Sequence, residues 1–468
     1  MSTRRKAARG DSRSLRRSAT GAGGRQERAG ASKPRGQASS PSKTLVSERV
    51  QRAVEAGGRL ARAPAETRTR SLGALATALV DPDVRARVLE ANGRDLAAAT
   101  GLAPALVKRL KLDAAKLETL ADGARQLATR EDPLGTVLAR RKLDDGLVLE
   151  QIRCPLGVLA VVFESRPDAL VQIASLALRS GNALLLKGGR EAAESNRALA
   201  HVVREALERA GLPPDAVQLL DDRSEVEALL GLERGVDLVV ARGGKEFVEH
   251  VRAQSRIPVL AHAEGVCHVH LHRSADPAKA ARIVVDSKVS YPAACNALET
   301  LLWEPGAEAA LEASLAALRS AGVELRGDAE TRARHPQMKA ATDADWDTEY
   351  GALVLSVARV EDLDRALAHI ARHGSQHTEA IVAEDHAAAE RFLAEVDAAC
   401  VFHEASTRFA DGYRFGLGGE VGIGTGKLHA RGPVGVDGLL TFRWILRGSG
   451  QVSADYGPGK KPFRHEEL

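Results

Sequence analysis

Nowhere in the 468 residues is there a run of the roughly 18 to 20 apolar residues that a membrane helix needs, so the chain is not expected to span a bilayer. Cysteine is scarce: Cys154, Cys267, Cys295 and Cys400 lie far apart, with no Cys-x-x-Cys pair and no His/Cys cluster at zinc spacing. A disulfide framework and a metal site are therefore not expected. The pattern reads as a reduced, cytoplasmic protein in which most cysteines are small core residues and one is available as a nucleophile. A Gly-x-Gly-x-x-Gly motif is missing too, so any dinucleotide is held in a non-standard way, and no internal repeat is apparent. Strong net charge is likewise absent, at +4 in total. Residues 1–44 hold twelve Lys or Arg against Asp11 and Glu27, a surplus of ten, so the remainder carries six more acids than bases. A uniformly basic nucleic-acid binder does not look like this.

What is present is a soluble globular composition, 44% apolar, long enough for two or three domains. The basic stretch 1–44 has almost no large apolar residues and reads as a disordered tail. It is a solvated tail or a mis-called start, an organelle targeting peptide, or a tether to a partner, and no apolar segment of the secretory kind follows it. From Val46 to about Thr129 the apolar spacing is helical. Asp145-Gly146 between two short apolar segments marks a hairpin. From Gly157 strands and helices alternate: strands at Val158–Phe163, Ala183–Lys187, Ala216–Leu220 and Val236–Ala241, helices at Ala169–Ser180 (ending at Gly181) and Glu191–Ala210. That is the texture of a doubly wound parallel sheet. A similar alternation resumes after Val266, through Val289, Val354 and Ile381, as a second α/β domain. Leu439–Leu446 reads as a final strand.

Candidate chemistry sits in four places. Lys187-Gly188-Gly189 and Arg242-Gly243-Gly244-Lys245 are Gly turns between strand and helix, where bare N–H groups and a cation can meet phosphate. Cys295, in Tyr291-Pro292-Ala293-Ala294-Cys295-Asn296, precedes what reads as a helical segment, whose dipole would favour the thiolate; the alternative is a buried structural cysteine. The loop residues Ser406, Thr407 and Arg408 lead into a Gly-rich stretch containing Glu420, then Lys427-Leu428-His429-Ala430-Arg431-Gly432-Pro433. His373-Gly374-Ser375-Gln376-His377-Thr378-Glu379 is a further polar cluster between helix and strand.

Several of these stretches fall together in one known pattern. Pro155-Leu156-Gly157-Val158 through Glu164-Ser165-Arg166-Pro167-Asp168, then Ser180-Gly181-Asn182-Ala183, Lys187-Gly188-Gly189, Cys295-Asn296-Ala297-Leu298-Glu299-Thr300, His369-Ile370, Gly374-Ser375-Gln376-His377-Thr378-Glu379 and the Lys427–Pro433 run occur in order. Over about 46–446 the chain resembles the gamma-glutamyl phosphate reductase family, of the aldehyde dehydrogenase superfold. The resemblance implies an NADP(H)-binding α/β domain at 45–263, a catalytic α/β domain at 264–437, and a small flap. The flap would join hairpin 138–154 to a C-terminal strand within 438–456 and mediate a homo-dimer or tetramer.

The implied reaction is NADPH-dependent reduction of L-glutamyl 5-phosphate to L-glutamate 5-semialdehyde, the second step of proline biosynthesis from glutamate. The resemblance makes Cys295 the nucleophile, with Asn296 beside it. It places Lys187, Gly188 and Gly189 near the adenosine ribose or its phosphate, Arg242, Gly243 and Gly244 near the pyrophosphate, and Glu349 on the nicotinamide ribose. Arg166 falls where ordinary aldehyde dehydrogenases carry an amide, and a cation there would bind the acyl phosphate. His262 falls where oxidative members carry the glutamate that activates water, with Glu264 two residues on. Losing that acid suits a reductive enzyme, whose thioester must survive until hydride arrives. Ser406, Thr407, Arg408, Lys427 and His429 are candidates for the substrate carboxylate or phosphate, and Glu420 for its ammonium. A separate glutamate 5-kinase, in transient contact, would supply the labile substrate. The competing readings are an oxidative semialdehyde dehydrogenase and a non-catalytic binding protein tethered by its tail. The first would show the water-activating acid and lack the His-Ala-Arg-Gly-Pro run; the second would have lost Cys295 or the Gly turns.

Overall fold

Leu, Ala and Val at three- and four-residue spacing give each N-terminal helix one apolar face, and that face is what the fold buries. The computed structural model describes residues 41–102, 104–164, 166–261 and 264–468, so most of the tail expected at 1–44 lies outside the described residues. The first helix runs from Pro41 to Arg62. Four more helices follow, at Ala65–Val80, Pro82–Ala98, Pro104–Leu110 and Ala114–Thr129. In the last of these Leu117, Leu120, Ala121, Ala124 and Leu127 are buried, and the Asp113 carboxylate caps the first turn by accepting from Lys116 N–H.

The hairpin is built as Asp145-Gly146 dictates. Strands β1 (Val137–Asp144) and β2 (Leu147–Pro155) are joined by those two residues, and Gly146 takes φ 70°, open to glycine at no steric cost. Next come β3 (Val158–Val162), β4 (Ala183–Lys187), β5 (Val217–Leu219), β6 (Leu238–Ala241) and β7 (Val259–Ala261), a parallel five-stranded sheet in the order β5-β4-β3-β6-β7. Each successive pair is linked by a helix or by a turn and helix. The helix Pro167–Ser180 stops at Gly181, whose left-handed φ of 73° no β-carbon favours. Strand order reverses between β3 and β6, which leaves a crevice at the carboxyl ends of those two strands.

A second parallel sheet holds β8 (Cys267–Leu271), β9 (Leu298–Trp303), β10 (Glu324–Gly327), β11 (Lys339–Ala340), β12 (Val354–Arg359), β13 (Thr378–Val382) and β14 (Cys400–His403), in the order β11-β10-β12-β9-β8-β13-β14. Of the positions expected in this alternation, Val354 and Ile381 lie in strands and Val289 closes a helix. The short hairpin β15 (Ile423–Gly424) and β16 (Gly432–Pro433) follows. Then β17 (Leu440–Arg447) pairs antiparallel with β2, and β18 (Glu466–Glu467) with β1, making the flap a four-stranded sheet.

Each large sheet has its own buried core. Leu184, Leu185 and Leu186 of β4 and Ile173 of the helix that precedes it lie in the first, and Trp303, Leu301 and Leu355 in the second. Val421 and Val434, from the stretch expected with the second sheet, and Leu439, from the expected flap strand, pack in the first core. The chain therefore crosses back over the crevice before it enters the flap. No helix among the described residues is long and apolar enough to cross a membrane.

Candidate active site

All strands of the second sheet are parallel, so the loops preceding β8, β9 and β13 open on the same edge. Those loops carry Gly265, Cys295 and His377. The Nε2 of His377 lies 3.2 Å from Cys295 Sγ, while its Nδ1 is 2.8 Å from Thr378 Oγ1. The cysteine loop is held tightly by its backbone. Cys267 Sγ donates to the Cys295 carbonyl at 3.4 Å, Arg109 donates to the Ala293 carbonyl at 3.4 Å, and a methyl group on Gly265 would sit 1.7 Å from the Cys295 oxygen. Glycine at 265 is required by that close approach.

Two expectations about Cys295 are corrected here. No helix follows it: the next regular element is β9, starting at Leu298, so no helix dipole acts on the sulfur. Nor is the thiol acidic. Burial pushes it up to about 12, the carboxylates of Glu420 and Glu349 add to the rise, and Arg242 and Arg408 oppose it. A thiol in that environment is protonated at neutral pH and needs a base in contact. His377 meets that need. In the sequence it stands only as part of a polar cluster, with nothing to assign it a role. Asn296 is also placed otherwise than a free amide donor would be: its Nδ2 donates to the Ala410 carbonyl at 2.8 Å, so the side chain anchors the loop.

The crevice of the first sheet holds a cavity of about 640 Å³, lined by Glu164, Lys187, Gly188, Gly189, Arg223 and Arg242 among others. Lys187 stands at the carboxyl end of β4, with Nζ donating to the Gly188 carbonyl at 2.5 Å. Burial lowers its pKa, and the acids Glu191, Asp222 and Asp221 oppose that. A β-carbon on Gly188 or Gly189 would collide with the side chains of Asn196 or Glu191, so bare backbone faces the cavity. Gly243 and Gly244 open the helix Lys245–Gln254, and the Glu164 carboxylate approaches that helix end, accepting from Gly244 N–H at 3.3 Å.

Arg242, at the end of β6, borders both this cavity and a second of about 1180 Å³, which is also lined by Arg166, Gln172, Asp411, Tyr413 and Glu420. Arg166 immediately precedes the helix Pro167–Ser180, makes no capping hydrogen bond with its side chain, and lies 3.3 Å from Asp168. Glu420 accepts from Gly412 N–H at 3.0 Å; burial raises its pKa and Arg242 pulls it down. Glu349 accepts from Gly265 N–H at 2.8 Å, which brings a second carboxylate to the cysteine loop.

The remaining candidates divide. Arg408 is near enough to Cys295 to lower its pKa, and its Nε donates to Ser290 Oγ at 3.3 Å. Ser406 and Thr407 are buried behind it on Ser287: the two serine hydroxyls are 3.1 Å apart, and Thr407 N–H donates to Ser287 Oγ at 3.1 Å. Lys427 pairs with Asp397 at 2.7 Å on the surface, beside Arg431 on the same carboxylate, and His429 is exposed. The structure does not gather those two with Cys295. His262 lies outside the described residues. Glu264 is paired with Lys245 at 2.9 Å.

The site thus sets a thiol in contact with a histidine on a two-sheet α/β frame, and the fold can be set beside known proteins. The model of the aldehyde dehydrogenase family matches residues 28–332. The chain belongs to the aldehyde dehydrogenase family. Within it, the chain is 52% identical over 407 residues to gamma-glutamyl phosphate reductase from Parasynechococcus marenigrum, covering 86% of this chain and 93% of that one. It is 50% identical over 429 residues to the protein of that name from Natronomonas pharaonis, covering 90% and 97%. The crystal structure of gamma-glutamyl phosphate reductase from Thermotoga maritima superposes with a TM-score of 0.84 at 36% identity, covering 87% of this chain and 99% of that one.

Proposed function

We propose that the chain reduces L-glutamyl 5-phosphate to L-glutamate 5-semialdehyde and phosphate with NADPH, through a thioester on Cys295, in the cytoplasm. The observation that carries this reading is the 3.2 Å contact between Cys295 Sγ and His377 Nε2, set among the cations Arg242 and Arg408.

In the tautomer whose Nδ1–H donates to Thr378 Oγ1, Nε2 of His377 is an acceptor aimed at the thiol. It takes the proton as sulfur attacks the acyl carbon; the C–O bond to phosphorus breaks and phosphate leaves with the electron pair. The Cys295 backbone N–H stabilises the oxyanion in this step and in the one that follows reduction. The resulting thiohemiacetal collapses to aldehyde as the thiolate leaves and recovers its proton from His377. Arg166 and Arg242, on the walls of the larger cavity, supply positive charge for the departing phosphate, and Glu420 receives the substrate ammonium.

The smaller cavity fits an anionic dinucleotide: bare backbone at Gly188 and Gly189, a partly buried Lys187, and Arg223 on the same wall. When bound, the nicotinamide supplies the hydride that reduces the thioester. Lys187 with Arg223 would favour a 2′-phosphate, hence NADPH, and Glu349 would hold the nicotinamide ribose. The pairing of Glu264 with Lys245 supports reduction over oxidation, because that carboxylate is engaged by a lysine. Phe442, Trp444 and Leu446 are about half exposed on β17, which supports a homo-oligomer built through the flap.

The test is the reverse reaction, NADP⁺ reduction by glutamate 5-semialdehyde with and without inorganic phosphate. Phosphate-dependent turnover is expected. Turnover at full rate without phosphate would mean that water resolves the thioester, and the oxidative reading would replace this one. In the same assay Arg166→Ala should lower kcat about 10²-fold, as loss of one charge-stabilising donor does, with NADP⁺ affinity little changed. An equal loss in NADP⁺ affinity would move Arg166 to the cofactor.

A further inference from the structure

The loop carrying Cys295 leaves the helix Pro277–Val289 and enters β9, and its two ends are joined beneath the surface. Lys288 Nζ, in the last helical turn, lies 2.5 Å from Glu299 Oε2 in β9, and neither side chain has any exposure. Burial pushes Glu299 up to about 7 against the pull of Lys288, and lowers Lys288 in turn. An ion pair held this dry gains little stability over two apolar side chains of the same volume, so its retention calls for another role.

A third segment meets the same pair. Lys288 Nζ is 5.8 Å from the centre of the Tyr350 ring, and the Gly351 N–H faces Glu299. The Tyr350 hydroxyl is fixed by Asp345 and Ser356, each at 2.7 Å. Glu349, one residue before, reaches back to Gly265, which lies against the Cys295 backbone. The pair thus closes the base of the nucleophile loop and anchors the Glu349 segment at once.

We infer that the Lys288–Glu299 pair is a positioning element that holds the Cys295 loop and the Glu349 segment in one register, so that sulfur and ribose ligand meet the same thioester. Its cofactor arm rests on the reading of Glu349 as the ribose ligand; its thiol arm does not.

The test uses the full-length double variant Lys288→Met with Glu299→Leu, apolar and similar in volume, in the reverse assay. With thermal unfolding close to that of the wild type, kcat should fall about 10- to 100-fold, the cost of a small misplacement of reacting groups. The deuterium isotope effect from aldehyde-deuterated semialdehyde should rise as hydride transfer becomes limiting. Alkylation of Cys295 by iodoacetamide without cofactor should change at least about threefold. Should the double variant fail to fold, Glu299→Gln, which keeps the shape, is expected to show the same losses in smaller degree. A folded variant with unchanged kcat, isotope effect and alkylation would overturn the proposal. Glu349→Gln run alongside separates the two readings. If it has normal kinetics the ribose reading fails, and a changed alkylation rate in the pair variant still upholds the thiol arm.

Discussion

Cys295→Ser should fold normally and lose turnover by about 10⁴-fold or more, as deletion of a covalent nucleophile does. The readout is phosphate-dependent NADP⁺ reduction by glutamate 5-semialdehyde. The substitution changes one atom, and the loop around it is fixed by contacts that do not use the sulfur: Asn296 to Ala410, Cys267 to the Cys295 carbonyl, and Gly265 packed on the backbone. Serine therefore keeps the shape. It does not keep the chemistry, because a hydroxyl is far less acidic than a thiol and a poorer leaving group from the tetrahedral adduct. Residual activity above about one per cent of wild type would be too much for such a loss, and would place the acyl group on another residue. Cys267 is the cysteine whose sulfur touches the loop. It is wholly buried, and burial pushes its thiol well above the ordinary range, so it offers no substitute.

How far the sequence carried the architecture can be judged from particular stretches. Asp145-Gly146 and Gly181 were legible because each residue type answers a local backbone demand, a two-residue turn and a left-handed cap. The alternation in the first sheet was legible because strands buried on both faces are short unbroken apolar runs. The segment after Cys295 reads as helical in sequence, and is not, for a reason of the same kind. Ala, Leu and Glu favour helix locally, and only tertiary contacts place Glu299 in the centre of a sheet. Its partner Lys288 is eleven residues earlier, at a spacing that belongs to neither period. His377 was visible as a residue and invisible as a base. Its contact with Cys295 spans 82 positions and exists because β8 lies between β9 and β13. Lys427 and His429 stand out in the sequence as part of a Gly-rich basic run, and in the structure Lys427 pairs with Asp397 on the surface.

Replacing His377 is the sharper test of the chemistry, because it separates the base from the nucleophile. His377→Ala should lower kcat/KM by about 10²- to 10⁴-fold, the range for a general acid–base group. The pH dependence should change with it. The thiol is held up to about 12, so without a base in contact only the free thiolate reacts, and its share grows tenfold with each pH unit below that value. The sign follows from the direction of the shift: a raised thiol pKa makes the protonated form the resting state, and raising pH relieves it. The variant should accordingly show log(kcat/KM) climbing with unit slope through the alkaline range, where the wild type, its base in place, does not. Imidazole added to the buffer should restore part of the rate by occupying the space left. A small, pH-independent loss would assign His377 to holding Thr378 and the start of β13, and the proton would then have to leave Cys295 by way of Glu349 or Glu420, the two carboxylates that already bear on its titration.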